Sequence, residues 1–417
     1  MAHASWTWMV YVATNNTKND VSAFGTASIN QMRQAGTNER VRVLVQQATP
    51  QGCQRLDLGS GLATTMGAVD SGDPATLLEC IRWAATAAPA DRYALVLWSH
   101  GSGWEPREMA RIAQQQPAAM PVTEGELTQR GDDDRRSVFF SSTLRRLLAA
   151  PTQVERAFAR DDGSGHSIDC VELGQVVAQG AQTLGQPFDL LGMNACQMAS
   201  VEVAYQIRDH ALVYVASEED MPALGWPYAE ILPRLAAQPA MDGPALGRLI
   251  VERYCAAFRA NTSLPWGQGA FPAGATLVAV EPTKMAALAE AVATLGDMLR
   301  AAIDSDVAAI WAAHQAEQAF KYQLYDLARF CRSLAAQPGL TAATAQAAKR
   351  VVAMFADPTL VLAQEHTAPN YDGVGGLTAY LIRPNPGIPL SPYYAETDFA
   401  QHTRWGEFLA AYHAAAT

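Results

Sequence analysis

The stretch Phe188-Asp189-Leu190-Leu191-Gly192-Met193-Asn194-Ala195-Cys196 decides the reading of this chain. Its apolar part is short and continuous, without polar alternation, which is the pattern of a strand buried on both faces of a parallel sheet. Upstream, Tyr93-Ala94-Leu95-Val96-Leu97-Trp98 has the same character and ends at Ser99-His100-Gly101. Trp8 to Ala13 and Val41 to Val45 repeat the pattern earlier in the chain, and Leu212 to Ala216 repeats it later. Helix-length segments lie between these runs. One follows the polar turn Asn15-Asn16 and reaches about Gln34, where Gly36 stops it. A second opens at Asp73-Pro74, an N-cap followed by a first-turn proline, and runs to about Ala87. Two more are expected from about Glu172 to Thr183 and from Met198 to Arg208. Strands alternating with helices predict an α/β fold with a largely parallel sheet covered on both faces.

The alternation breaks at 105–165. There Asp132-Asp133-Asp134, Arg135-Arg136 and Arg145-Arg146 predict a solvated insertion. From about Met241 the chain is alanine-rich, with helices expected over 243–260, 283–303, 306–335 and 341–356. Late strands are expected at Ala275 to Val280 and Leu377 to Ile382. The expected organisation is therefore a catalytic core over 1–240 carrying the insertion, with a helix-rich part over 241–417 packed on it.

Composition excludes several function classes. The 417 residues carry 30 basic and 41 acidic side chains, a formal net charge of −11, and no basic stripe that would hold a nucleic acid. Hydrophobic residues make up 49% and charged residues 17%, a balance that builds a packed core rather than a disordered chain. No apolar run reaches the roughly 18 residues of a spanning helix. Met1 to Trp6 lacks the basic and apolar regions of a secretory leader, so a cytoplasmic protein, acting as a monomer, is expected. The six cysteines are Cys53, Cys80, Cys170, Cys196, Cys255 and Cys331, too sparse for a disulfide framework and without a C-x-x-C pair. The histidines form no metal-ligand spacing, so no metal site is assigned.

Chemistry points to two strand ends. Open α/β sheets carry functional loops beyond the carboxyl ends of their strands. If the strands ending at Trp98 and Met193 are neighbours, His100 and Cys196 face one crevice. A thiol is a strong nucleophile only as thiolate, and a nearby imidazole supplies or stabilises that state. A helix starting near Met198 would add its N-terminal dipole. The backbone amides of Gly101 and Cys196 could form an oxyanion hole, since glycine lets the chain approach a substrate closely.

Trp98-Ser99-His100-Gly101-Ser102-Gly103-Trp104 resembles the histidine motif of the clostripain family, cysteine peptidases of the caspase-like clan. The run from Phe188 through Cys196-Gln197-Met198-Ala199-Ser200-Val201-Glu202 resembles that family's nucleophile motif. Ser217-Glu218-Glu219, Gly225-Trp226-Pro227-Tyr228, Tyr325-Asp326-Leu327 and Trp405-Gly406-Glu407-Phe408 extend the likeness over nearly the whole chain. The resemblance implies a caspase-like three-layer α/β/α sandwich and a cysteine endopeptidase working through a Cys196–His100 dyad and an acyl-enzyme. It implies a protein or peptide substrate and no organic cofactor. Some relatives need calcium, but no residues here can be named for it. Caspase-like bacterial peptidases are sometimes effectors held inactive until a signal arrives, and relatives are often cut between histidine and nucleophile. That makes 105–165 the expected place for processing, with Arg107, Arg111, Arg130, Arg135, Arg136, Arg145 and Arg146 as candidate positions. Where the family typically has Asp two positions before the nucleophile, this chain has Asn194, expected at the floor of the specificity pocket. Preference for Arg or Lys before the scissile bond need not survive unless Glu218, Glu219 or Asp220 lines the same crevice. The alternatives are an inactive binding module that kept the fold, and a thiol acyltransferase.

Overall fold

The computed structural model describes residues 3–15, 21–36, 38–104, 168–259, 274–320, 323–384, 390–391 and 393–416. The insertion expected at 105–165 lies outside these residues. The first described elements are β1 (Ala4–Ala13), α1 (Ser22–Ala35), β2 (Val41–Thr49), β3 (Gly52–Asp57), β4 (Leu62–Gly67), α2 (Pro74–Ala87) and β5 (Ala90–Trp98). After the insertion come α3 (Cys170–Leu184), β6 (Leu190–Asn194), α4 (Val201–Gln206), β7 (Tyr214–Ala216), α5 (Tyr228–Ala237), α6 (Gly243–Arg259) and β8 (Thr276–Val280). The remainder is α7 (Met285–Ala301), α8 (Ile303–Ala316), β9 (Leu324–Asp326), α9 (Leu327–Ala335), α10 (Ala342–Phe355), β10 (Val361–His366), β11 (Thr378–Tyr380), α11 (Asp398–Thr403) and α12 (Trp405–Ala416).

Among the described residues, nine strands form one sheet in the order β10-β8-β7-β6-β5-β1-β2-β3-β4. Its centre, from β2 to β7, is parallel throughout. The flanking pairs β2–β3, β3–β4, β7–β8 and β8–β10 are antiparallel. β8 and β10 both come from beyond residue 241. Alternation along β1 shows why helices cover both faces. Met9, Tyr11 and Ala13 point into one core with Leu77 and Ile81 of α2 and Val177 of α3. Trp8, Val10 and Val12 point into the other, with Ile29 of α1, Leu232 of α5 and Ile250 of α6. Each Val, Leu, Ile or Met among them, taken fully out of water, contributes about 1.5–3 kcal/mol. The result is the expected three-layer α/β/α sandwich.

Local signals set the helix ends. The Asp73 carboxylate accepts the Ala75 N–H at 2.8 Å, with Pro74 in the first turn. Asp169 and Glu172 form a reciprocal capping box at the start of α3.

Two expectations need correction, and three strands were not foreseen. The 306–335 segment is not one helix: α8 stops at Ala316, and β9 intervenes before α9. Asp326 makes the break, because its carboxylate caps α9 through the Arg329 N–H at 2.6 Å. The strand expected at Leu377–Ile382 exists as β11, but it pairs with β9 in a separate two-stranded sheet. The hairpin β3–β4 and the edge strand β10 were not expected from the apolar pattern; β4 is exposed along its whole length and carries no core-facing alternation. The helix after Cys196 starts at Val201 rather than Met198, capped by the Ser200 hydroxyl.

Candidate active site

Two adjacent strands deliver the expected pair. β5 and β6 run parallel with Trp98 opposite Asn194, so their carboxyl ends open at the same level. The Ser99 N–H donates to the Asn194 carbonyl at 3.3 Å and extends the pairing one residue. The Ser99 hydroxyl donates to the Ala13 carbonyl at 2.8 Å, tying this exit to β1. Trp104 anchors the far end of the histidine loop, its ring edge-on to Tyr380 and Tyr394 at 4.7 and 4.8 Å between centroids. His100, 8% exposed, and Cys196 line one narrow cavity of about 60 Å³ together with Trp98, Asn194, Met221 and Gly225.

Gly101 shows how closely the two loops approach. A Cβ at that position would lie 2.2 Å from the Cys196 carbonyl oxygen and 3.0 Å from the Cys196 nitrogen. Only glycine lets the backbone after His100 rest on the backbone of Cys196.

Gln197, directly after the cysteine, has φ of 58°. Left-handed backbone costs a non-glycine residue roughly 1–2 kcal/mol. Three neighbouring hydrogen bonds hold the turn. The Gln197 N–H donates to the Glu219 carbonyl at 3.1 Å, its side-chain amide donates to Asp220 at 3.0 Å, and the Ala199 N–H donates to the Ser217 carbonyl at 2.9 Å. The turn lifts Cys196 out of the sheet. Among the six cysteines, none of them in a disulfide, Cys196 alone is not buried. Burial pushes Cys53 up to about 11 and Cys80 and Cys255 up to about 12, so these thiols stay protonated and inert.

The helix dipole expected beside Cys196 is not what serves the sulfur. α4 starts at Val201, beyond the turn after Cys196, and is only six residues long. Instead the Met221 N–H donates to the Cys196 sulfur at 3.2 Å. The thiol in turn donates to the Met221 carbonyl at 3.8 Å, so one residue holds the sulfur both as acceptor and as donor. Met221 was not singled out from sequence, although the neighbouring Gly225-Trp226-Pro227-Tyr228 had been.

The acids expected to line the crevice are engaged elsewhere. Glu218 is 1% exposed, and burial beside Asp326 pushes its carboxyl well above the ordinary range. Glu219 accepts the Tyr371 hydroxyl at 2.9 Å and the Asp220 N–H at 2.7 Å. Asp220, 4% exposed, receives the Gln197 amide. The cavity wall passes through Met221, Pro222, Ala223 and Gly225 instead. Asn194 does line it; its side chain is buried and donates to the Tyr228 hydroxyl at 3.1 Å. Among the described residues no group of three or more His, Cys, Asp or Glu is gathered as a metal site.

The sequence profile of the clostripain family (peptidase C11) matches residues 10–117 and 132–412. This chain belongs to the clostripain family of cysteine endopeptidases. Solved structures with the same fold include a secreted C11 cysteine protease from Bacteroides thetaiotaomicron bound to an irreversible peptide inhibitor. It is 18% identical, with a TM-score of 0.62 over 97% of this chain and 100% of that one. An inactive zymogen C11 protease from Parabacteroides distasonis is also 18% identical, with a TM-score of 0.62 over 97% and 99%. Identity at this level speaks for the fold. No curated protein sequence matches the chain. Among the described residues, no helix of this clostripain-family protein is long and apolar enough to cross a membrane.

Proposed function

We propose that Cys196 and His100 form the catalytic dyad of this peptidase. The observation that carries the reading is the seating of Gly101 on the Cys196 backbone, which joins the two strand exits at one cleft. The Cys196 sulfur attacks the scissile carbonyl carbon, and the carbonyl π pair moves to oxygen. The backbone N–H groups of Gly101 and Cys196 receive that oxyanion; such donors accelerate acyl transfer by about 10²–10³-fold. The His100 imidazolium then gives its proton to the leaving amine as the C–N bond breaks, leaving a thioester on Cys196. Water, deprotonated by His100, opens the thioester, and the thiolate departs with the imidazolium restored.

The substrate is a peptide or protein chain. A cytoplasmic setting and monomeric action belong to the same proposal. Six cysteines with no disulfide among them support the reducing compartment, whereas the compared Bacteroides structure is described as secreted; cell fractionation of the native host decides between them.

The dyad is tested with Cys196→Ala and His100→Ala. Each should lower kcat/KM for a peptide substrate by at least about 10³-fold, as removal of a catalytic nucleophile or base does elsewhere, while circular dichroism stays unchanged. Iodoacetamide should label Cys196 in the wild type and much more slowly in His100→Ala. Near-wild-type hydrolysis in either variant would sink the assignment.

A further inference from the structure

Resting on the peptidase reading, a second question is which side chain the cleft accepts before the scissile bond. Beside Cys196 the wall is Trp98, Asn194, Met221, Pro222, Ala223 and Gly225. Among the described residues this wall carries no charge. The three nearby acids face other partners: Glu218 packs on Asp326, Glu219 holds Tyr371, and Asp220 holds Gln197. A guanidinium or ammonium entering here would shed water without meeting an anion, which is the costly way to bury a charge.

The same wall presents two polar atoms. The Trp98 indole N–H is buried and has no hydrogen-bond partner among the described residues. Asn194 commits its amide nitrogen to Tyr228, which leaves its carbonyl oxygen as an acceptor. Both lie against Gly225, where a Cβ would stand 3.0 Å from the indole nitrogen, 2.9 Å from the Asn194 oxygen and 2.5 Å from the Asn194 amide nitrogen. Gly225 also has φ of 65°, so that position is closed to a side chain on two counts. A donor beside an acceptor is the complement of a primary carboxamide, whose C=O would take the indole N–H and whose NH₂ would give to Asn194. A site that leaves its own polar groups unpaired without the right ligand discriminates strongly against other ligands.

We propose that this wall is the specificity pocket, and that it selects an uncharged side chain, a carboxamide (Gln or Asn) above all, over Arg or Lys. The test uses the full-length protein and fluorogenic peptides identical except for Gln, Asn, Leu, Arg or Lys before the cleaved bond, with Cys196→Ala as the blank. Wild type should cleave the Gln peptide with kcat/KM at least about 10-fold above Arg and Lys. Trp98→Phe should remove the advantage of Gln over Leu. Asn194→Asp keeps the shape and supplies the missing charge, so it should raise Arg and Lys cleavage by about 10-fold or more. Arg or Lys cleaved best by wild type, and unmoved in Asn194→Asp, would overturn the pocket while leaving the peptidase intact. Leu equal to Gln in wild type would overturn the carboxamide pairing. Failure to cleave any peptide in a Cys196-dependent way would overturn the peptidase reading, and this proposal with it.

Discussion

Glu202 provides a pH-dependent test of how the fold braces its site. It lies in α4, just beyond the cysteine turn, fully buried. One carboxyl oxygen accepts the Tyr380 N–H at 2.9 Å and the Tyr394 hydroxyl at 3.2 Å. Those two rings hold Trp104, so this carboxyl supports the cluster that anchors the His100 loop. Burial raises its pKa from 4.5 to about 7, against the pull of the donated hydrogen bonds. Between those values the native state holds more protons than the unfolded chain. Stability is therefore fully present below about pH 4.5 and is lost as pH rises through about 7. At about 1.4 kcal/mol per pH unit, the full span amounts to about 3 kcal/mol. Glu202→Gln keeps the shape and the acceptor but removes the titration. In urea unfolding, the gain of Glu202→Gln over wild type should grow by about 2 kcal/mol between pH 5 and pH 8. Other titrating groups are common to both proteins and cancel in the difference. Parallel stability curves would show that Glu202 titrates alike in the folded and unfolded chains, and would refute the pKa shift that its burial implies.

Gly101→Ala places a methyl group on the Cys196 backbone, so hydrolysis should fall by about 10²-fold or more with circular dichroism preserved; wild-type kcat/KM in that variant would refute the close seating of the loops. Processing within 105–165 should be visible by intact-mass spectrometry of the active protein. If the specificity pocket is uncharged, self-cleavage should fall after Gln114, Gln115, Gln129 or Gln153 rather than after any arginine of that segment, and an unmodified active chain would rule processing out as a requirement.

The centre of the fold was legible because parallel strands buried on both faces leave continuous apolar runs, and the turns that follow them carry Asp-Pro, Gly or capping signals. The edges were not. β4 is exposed on both faces, so nothing in its composition had to be apolar. β10 is half-buried along its length and reads neither as a core run nor as clean alternation.

The same physics explains which site residues could be found. His100 and Cys196 follow buried strands and carry reactive groups, so position and chemistry pointed together. Glu218, Glu219 and Asp220 also follow a strand, and position alone suggested the cleft. What removes Glu218 is Asp326; Tyr325-Asp326-Leu327 stood out for its likeness, but reading 306–335 as unbroken helix hid its place beside Glu218. An aspartate directly before a helical run is a capping signal, and taking it there would have split the segment and exposed the partner. Trp98 escaped for the opposite reason: at the end of a buried strand, an aromatic residue looks like core. Only the register that sets Trp98 opposite Asn194 places its indole beside the amide, and only the three-dimensional contacts show that its N–H goes without a partner. The buried indole N–H groups of Trp8, Trp104 and Trp226 also lack a partner among the described residues, but of the four only Trp98 lines the cavity beside Cys196, and that is the ground for assigning its donor to a ligand rather than to packing.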